Sequence, residues 1–372
     1  MGESRLHIAW LFLLTLTVAC ALAVDGFGIL PRAVEGARNG DYSTFYAAGR
    51  IERGQLYDFA AITRAQEPLI GRVESPRPYL NPPTYLFVLE PLSRLPPNVG
   101  LALWAVSTTL LFAAACLLVA RPWAVGLALV SPVVWSTAAG GQVALLVGSC
   151  IVAAVAVLPR RPVLAGVLFA IAALIKPPAV VLAPLALVAM RQWRALAACL
   201  VAGLLGGLAG VLRFGPDLWL QWLHAIQEFS RFLATSSVIE KGSSPATIVR
   251  FLGLSGPVAL GFQIACGVLG VAVTWRTFRR SQEPLVRLAG LTTGCLLVTP
   301  YAMTQELMPM LPFAATALLD RKAGPLLWFA SFMILASLAT PFAVLIMAGC
   351  LLAEAPQSDR TTAEAGARAL NP

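Results

Sequence analysis

The chain has 372 residues, of which 58% are hydrophobic and only 12% charged, a composition that excludes an ordinary soluble protein and fits a single polytopic membrane domain. Its net charge of +9 would suit nucleic acid if the basic residues clustered among aromatics; they stand instead as ones and twos between apolar runs, as topology signals do, so no nucleic-acid partner is expected. The seven cysteines all lie in apolar stretches, with no CxxC and no histidine at ligand spacing, and read as small buried hydrophobes rather than disulfides or a zinc site.

In chain order, Arg5 and the apolar run 6–24 imitate a cleavable signal peptide, and Thr17-Val18-Ala19-Cys20 brushes against a lipoprotein site. Apolar segments continue to residue 353, so the run reads as an uncleaved first helix and Cys20 as core. Residues 25–98 follow with eight acids and eight arginines, an almost neutral mixture suited to a folded, water-facing loop. Further apolar segments fall at 99–120, 124–138, 143–158, 163–175, 177–190, 195–212, 251–274, 285–299, 307–319, 324–339 and 341–353. An N-terminus inside places Arg5, Arg121, Arg160, Arg161, Arg191, Arg194, Arg276, Arg279, Arg280, Arg287, Arg321 and Lys322 on the cytoplasmic face, in keeping with the positive-inside rule.

Several of these segments are shorter than the roughly 20 residues of a lipid-facing helix. The expected fold is therefore an all-α polytopic bundle of 10 to 12 transmembrane helices, occupying residues 1–353. Residues 354–372 are expected to form a cytoplasmic, disordered tail. The same parity sends 25–98, the 139–142 turn, Lys176, 213–250 and 300–306 to the outer side. Within 213–250, Trp219, Trp222, Leu223, Ile226, Phe229 and Leu233 recur at helical spacing, which predicts an amphipathic interfacial helix, with a mis-bounded crossing helix as the alternative.

The residues suited to chemistry lie in those outer pieces. Asp41 opens a helix-like run ending near Gly54; it reads as an N-cap, as a general base for a bound hydroxyl, or as both. Tyr42 and Tyr46 share a face of that run with Arg50 one turn on, a stripe that can grip a sugar or phosphate or pack the loop onto the membrane. In the segment 76–97 the prolines preset extended backbone through Asn81-Pro82-Pro83, ahead of an apolar run, Thr84 to Leu89, too short to span. Lys176, one of three lysines, is the only charge between Pro162 and Met190, and reads as an ammonium for phosphate or as a snorkelling anchor. Gly140-Gly141-Gln142 forms another outer turn, and Tyr301, Gln305 and Glu306 close an apolar segment; Glu306 reads as a cavity acid or as a solvated carboxylate. No Ser-His-Asp or Cys-His arrangement and no phosphate-binding glycine loop is present.

Taken in order, "DYSTFYAAGRIERGQLYD", Tyr79 with "NPPTYLFVLEPLSRLPP", "GGQVALLVG", "LIKPPAVVLAPLALVAMRQWRAL" and "TPYAMTQELMPMLPFAATALL" resemble glycosyltransferase family 87, membrane enzymes of the GT-C fold. The resemblance implies an inverting transfer of a hexose, mannose above all, from a polyprenyl-phosphate donor to a glycan or glycolipid acceptor outside the cytoplasmic (inner) membrane. It implies Asp41 as catalytic base; Lys176, with Arg50 or another arginine of the first loop as substitute, is expected to steady the donor phosphate. Tyr42, Tyr46, Tyr79, Asn81, Gln142, Tyr301, Gln305 and Glu306 are expected to bind substrate. Asn81 and Glu306 depart from the residues more usual at their positions. No cofactor is required, and a divalent metal is left open. The competing reading is a multi-span transporter or lipid flippase, which predicts paired halves; no internal repeat is evident.

Overall fold

The computed structural model describes residues 40–71, 76–235, 242–320 and 323–353; the expected first helix at 6–24 and the tail 354–372 lie outside them. Among the described residues every regular element is helical, apart from an isolated bridge between Gly242 and Met303.

Prolines start most of the long helices, where a missing N–H costs nothing: Pro97–Leu117, Pro162–Ile175, Pro284–Val298 and Pro325–Leu335. Three described helices are long and apolar enough to cross a bilayer, Pro97–Leu117, Trp193–Phe214 and Gly256–Arg280, and six more are apolar but shorter. The chain is thus embedded in a membrane. The three long helices form its outside. Only 11% of the Trp193–Phe214 window and 22% of the Gly256–Arg280 window are buried, and Leu204 and Leu212 stand 73% and 79% exposed, as side chains against lipid must. The shorter helices Ala144–Val157, Pro284–Val298, Leu311–Leu319 and Thr340–Ala353 make the interior. Small residues let them close in: a methyl group on Gly294 would collide with Thr274 Oγ1 of Gly256–Arg280, the close approach that association without a hydrophobic driving force requires.

Three expected single segments are broken, each by proline. The run 124–138 is two helices, Pro122–Leu129 and Pro132–Ala139, bent by 60°. The run 177–190 is a 3₁₀ turn, Pro177–Val180, followed by Ala183–Ala189. The run 307–319 divides into the 3₁₀ segment Thr304–Met310, which contains Pro309, and the helix Leu311–Leu319. Proline removes a helical donor and crowds the preceding turn, so the ladder restarts at each one. The amphipathic helix is present as Pro216–Thr235, turned off Trp193–Phe214 at Gly215, whose φ of +86° suits only glycine; it is not among the helices apolar enough to cross.

The described parts of the loop, 40–71 and 76–96, fold over one end of this bundle. Its short helix Asp41–Ala48 packs on Phe59–Arg64 and Leu86–Leu92. Phe45, Tyr57, Tyr79 and Tyr85 form its aromatic core, with ring centroids 5.3 to 6.4 Å apart. Buried Gln66 fastens three pieces together: its Oε1 accepts from Ser43 Oγ at 3.0 Å and Thr44 Oγ1 at 2.9 Å, and its Nε2 donates to the Ile62 and Arg77 carbonyls at 3.0 Å. All four bonding positions of that amide are filled, which a fully buried polar group demands.

Candidate active site

Asp41 is the first residue of its helix, and the reading of it as N-cap is corrected. Gly40 occupies the cap, and no side chain closes the helix there. The reason is close packing. A Cβ on Gly40 would sit 2.5 Å from the Gly140 carbonyl oxygen, and the Tyr42 N–H donates to that oxygen at 3.0 Å. The helix start is therefore docked on the 140–142 turn, and the Asp41 carboxylate is released for other partners. The run also ends earlier than expected, at Ala48.

Gln142 is brought to Asp41 by the same turn. Gly141 adopts φ +61°, the left-handed conformation that suits glycine, the Gln142 N–H donates to Thr137 O at 2.9 Å, and Trp104 Nε1 donates to Gln142 O at 3.3 Å. With its backbone fixed on both sides, the Gln142 side chain hydrogen-bonds Asp41.

Lys176 comes from the bundle. Pro162–Ile175 stops because Lys176 precedes Pro177 and takes an extended conformation, φ −149° and ψ 80°. The carbonyls this leaves open are capped from the loop: Asn81 Nδ2 donates to Ile175 O at 3.0 Å, and Thr84 Oγ1 donates to Leu174 O. The loop is itself held there, with Tyr57 OH donating to Asn81 O at 2.8 Å and Trp222 Nε1 to Leu80 O at 3.0 Å. Lys176 Nζ forms an ion pair with Glu306 Oε1. Glu306 lies on the 3₁₀ segment Thr304–Met310, wedged against Ala144–Val157 and Pro284–Val298, and its side chain is 11% exposed. The preceding turn is pinned by Ser243 N–H to Ala302 O at 2.7 Å and by Ser244 Oγ to Pro300 O at 3.0 Å. The anchor reading of Lys176 and the solvated reading of Glu306 are both replaced by this pair.

Arg77 is one of the first-loop arginines that the sequence reading left unnamed beside Arg50. Its carbonyl is bound by Gln66 and its N–H by Thr63 Oγ1 at 3.0 Å, which sets the segment beside the start of the Asp41 helix. The available signal was an arginine between two prolines, Pro76 and Pro78, whose fixed backbone presents a side chain at low entropic cost.

Lys176, Arg77 and Glu306 are all close enough to act on the charge of Asp41. Asp41 keeps surface open to water, yet protein surrounds it so fully that burial is the largest influence on its acidity and raises its pKa. Lys176, the Gln142 hydrogen bond and Arg77 pull it back down, and Glu306 adds to the rise. The carboxylate therefore lies in an open recess, reachable by water and more basic than an ordinary aspartate. Tyr301 stands at its edge, with its ring 5.3 Å from Phe229; burial and the Asp41 and Glu306 charges push its phenol up. Gln305, half-buried, adjoins Glu306. Among the described residues no three His, Cys, Asp or Glu side chains gather as metal ligands.

The other expected residues are placed elsewhere. The Tyr42 hydroxyl lies against Gly100, buried and without a hydrogen-bond partner among the described residues. Tyr46 OH donates to Leu95 O at 3.2 Å, and Arg50 donates to Tyr46 OH and Ser93 O at 3.0 Å, so this stripe packs the loop onto residues 93–100. Arg50 is thereby held on Tyr46 and Ser93. Tyr79 is fully buried in the aromatic core, its hydroxyl 3.4 Å from Pro82 O. Asn81 supports the Lys176 turn from behind.

Compared with known proteins, the chain matches the family model of glycosyltransferase family 87 over residues 79–300. No curated protein and no solved structure matches it. The matched stretch contains Asn81, Gln142 and Lys176; Asp41, Arg77, Tyr301 and Glu306 lie outside it and join it through the geometry above.

Proposed function

The chain belongs to glycosyltransferase family 87 and is a membrane glycosyltransferase; on that premise we propose that it moves a hexose, mannose in the first place, from a polyprenyl-phosphate donor to a glycan or glycolipid hydroxyl outside the cytoplasmic membrane. The observation that carries this reading is the recessed Asp41 carboxylate, held by Gln142 and facing the Lys176–Glu306 pair.

The donor needs no further activation, because its leaving group is already a phosphate. Asp41 accepts the proton of the acceptor hydroxyl, and that oxygen attacks the anomeric carbon from the face opposite the phosphate. The bond between anomeric carbon and phosphate oxygen breaks, its electron pair leaves with the polyprenyl phosphate, and the configuration inverts. A raised pKa makes Asp41 the stronger base. Lys176 carries three N–H donors, of which Glu306 engages part; the rest, with Arg77, neutralise the charge on the departing phosphate. No step calls on a cofactor. Tyr301 and Gln305 flank the recess as sugar-binding groups.

The test is transfer from a labelled polyprenyl-phosphate sugar in membranes, comparing the wild type with Asp41→Asn at equal expression. Loss of transfer in the variant supports the reading. Undiminished transfer removes Asp41 as base, and movement of intact lipid without sugar transfer by the wild type replaces the enzyme reading with transport.

A further inference from the structure

A second charged site lies at the other end of the Asp41–Ala48 helix. A cleft of about 490 Å³ is lined by Arg50, Arg53, Glu90, Ser93, Arg94 and Arg213, so four guanidinium groups face one carboxylate. Two of the four are fixed: Arg50 donates to Ser93 O at 3.0 Å, and Arg53 donates to Ala48 O at 2.9 Å and pairs with Glu90 at 2.5 Å. The other two are open. Arg213 makes one contact with Glu90, at 3.2 Å, with its side chain 58% exposed, and Arg94 is exposed, its side chain without a hydrogen bond or ion pair among the described residues.

The position of the cleft defines its ligand. Arg213 is in the last turn of Trp193–Phe214, a lipid-facing helix about 33 Å long at 1.5 Å per residue. Arg94 stands three residues before Pro97–Leu117, the second lipid-facing helix of that length. Both helices therefore end at the cleft, at the depth of lipid headgroups. Phe87, 45% exposed, and Phe214 pack at 5.0 Å to form an apolar lip, and the Arg53 and Arg213 guanidiniums lie over the Phe214 ring at 5.9 and 5.2 Å. Guanidinium forks match phosphate oxygens in pairs, and an unmatched basic cluster at this depth attracts anionic lipid. We propose that this cleft binds the phosphate headgroup of an anionic phospholipid, at a site separate from Asp41. The eight-residue helix Asp41–Ala48, about 12 Å long at 1.5 Å per residue, lies between them.

The experiment uses the purified full-length protein in neutral detergent and native mass spectrometry. The probes are phosphatidylglycerol, phosphatidylcholine and inorganic phosphate. The wild type is expected to retain one phosphatidylglycerol in preference to phosphatidylcholine. Arg94→Gln is expected to hold it roughly 5-fold more weakly and Arg94→Gln/Arg213→Gln roughly 30-fold more weakly. The Arg94 side chain is exposed and unpartnered among the described residues, so the single variant reports on binding without disturbing the fold. Equal retention by wild type and both variants, or equal retention of the two lipids, overturns the proposal. Displacement of phosphatidylglycerol by an equal concentration of inorganic phosphate overturns the assignment to a lipid, whereas failure of such displacement supports it.

Discussion

Asp41 and Arg50 stand at opposite ends of one short helix, and their surroundings differ in kind. Around Asp41 two carboxylates meet two cations, Lys176 and Arg77 against Asp41 and Glu306, in a recess where burial dominates acidity. Around Arg50 four guanidiniums meet a single carboxylate in an open cleft. Charges crowded by protein are tolerated best when they are matched. An open site carries a surplus because water and external ions screen it. On the proposed reading the matched site moves charge within itself during a reaction, and the surplus site takes an anion from outside.

The largest expected effect tests the first half of that contrast. Asp41→Asn should lower transfer about 1,000-fold, within the usual range for loss of a general base, with normal expression and elution. A loss under about 10-fold would break the assignment.

Next come the paired charges. Lys176→Ala should lower kcat/KM by roughly 100-fold, largely through donor KM, as expected when a phosphate-binding cation is removed. Glu306→Gln should cost about 10-fold, and the double variant should fall short of the product of the two because the residues act as a unit. Multiplicative losses in steady-state kinetics would show that the ion pair has no part in donor binding.

The pH dependence follows from the raised pKa of Asp41. The folded protein holds this proton more tightly than the unfolded chain, so the resulting stability is complete below about pH 3.9 and is lost as pH rises through the folded value. The base is formed across the same window, so the acid limb of the transfer rate should lie above the ordinary aspartate range. Thermal unfolding of Asp41→Asn should show no such loss, leaving the variant as stable as the wild type at neutral pH or more so. A wild type that gains relative stability on ionisation of Asp41 would reverse the sign and refute the argument.

The smallest effect belongs to the other end of the helix. Arg50→Ala removes the bonds to Tyr46 and Ser93 and should cost about 1 kcal/mol of stability, measured by denaturation in detergent, with transfer changed less than about 3-fold. A loss comparable to that of Lys176→Ala would return Arg50 to the donor phosphate and dissolve the distinction between the two regions.

Much of the helical framework was legible in the sequence because prolines and apolar runs act locally. Pro97, Pro162 and Pro284 each open a helix within two residues of the expected edge. Their neighbours Pro132, Pro184 and Pro309 broke segments that hydropathy alone had joined. Lys176 and Glu306 were both singled out as isolated charges in apolar surroundings, but nothing local says that residues 130 positions apart neutralise each other. Tyr79 and Asn81 were equally visible as polar groups in a proline-rich loop. Their roles, core aromatic and cap for Ile175 O, depend on which way that loop folds over the bundle.

The sequence by itself determined a helical membrane chain and the short list of ionisable groups able to do chemistry in it, since hydropathy and the cost of desolvating charge are properties of composition and order. Only the tertiary structure decided which of those groups meet. It freed Asp41 from the capping role through the contact of Gly40 with Gly140, set Lys176 against Glu306, brought Arg77 in through Gln66 and fixed Arg50 on Tyr46 and Ser93. Each of these is a contact between distant segments, fixed by close packing and by the need of buried polar groups for partners.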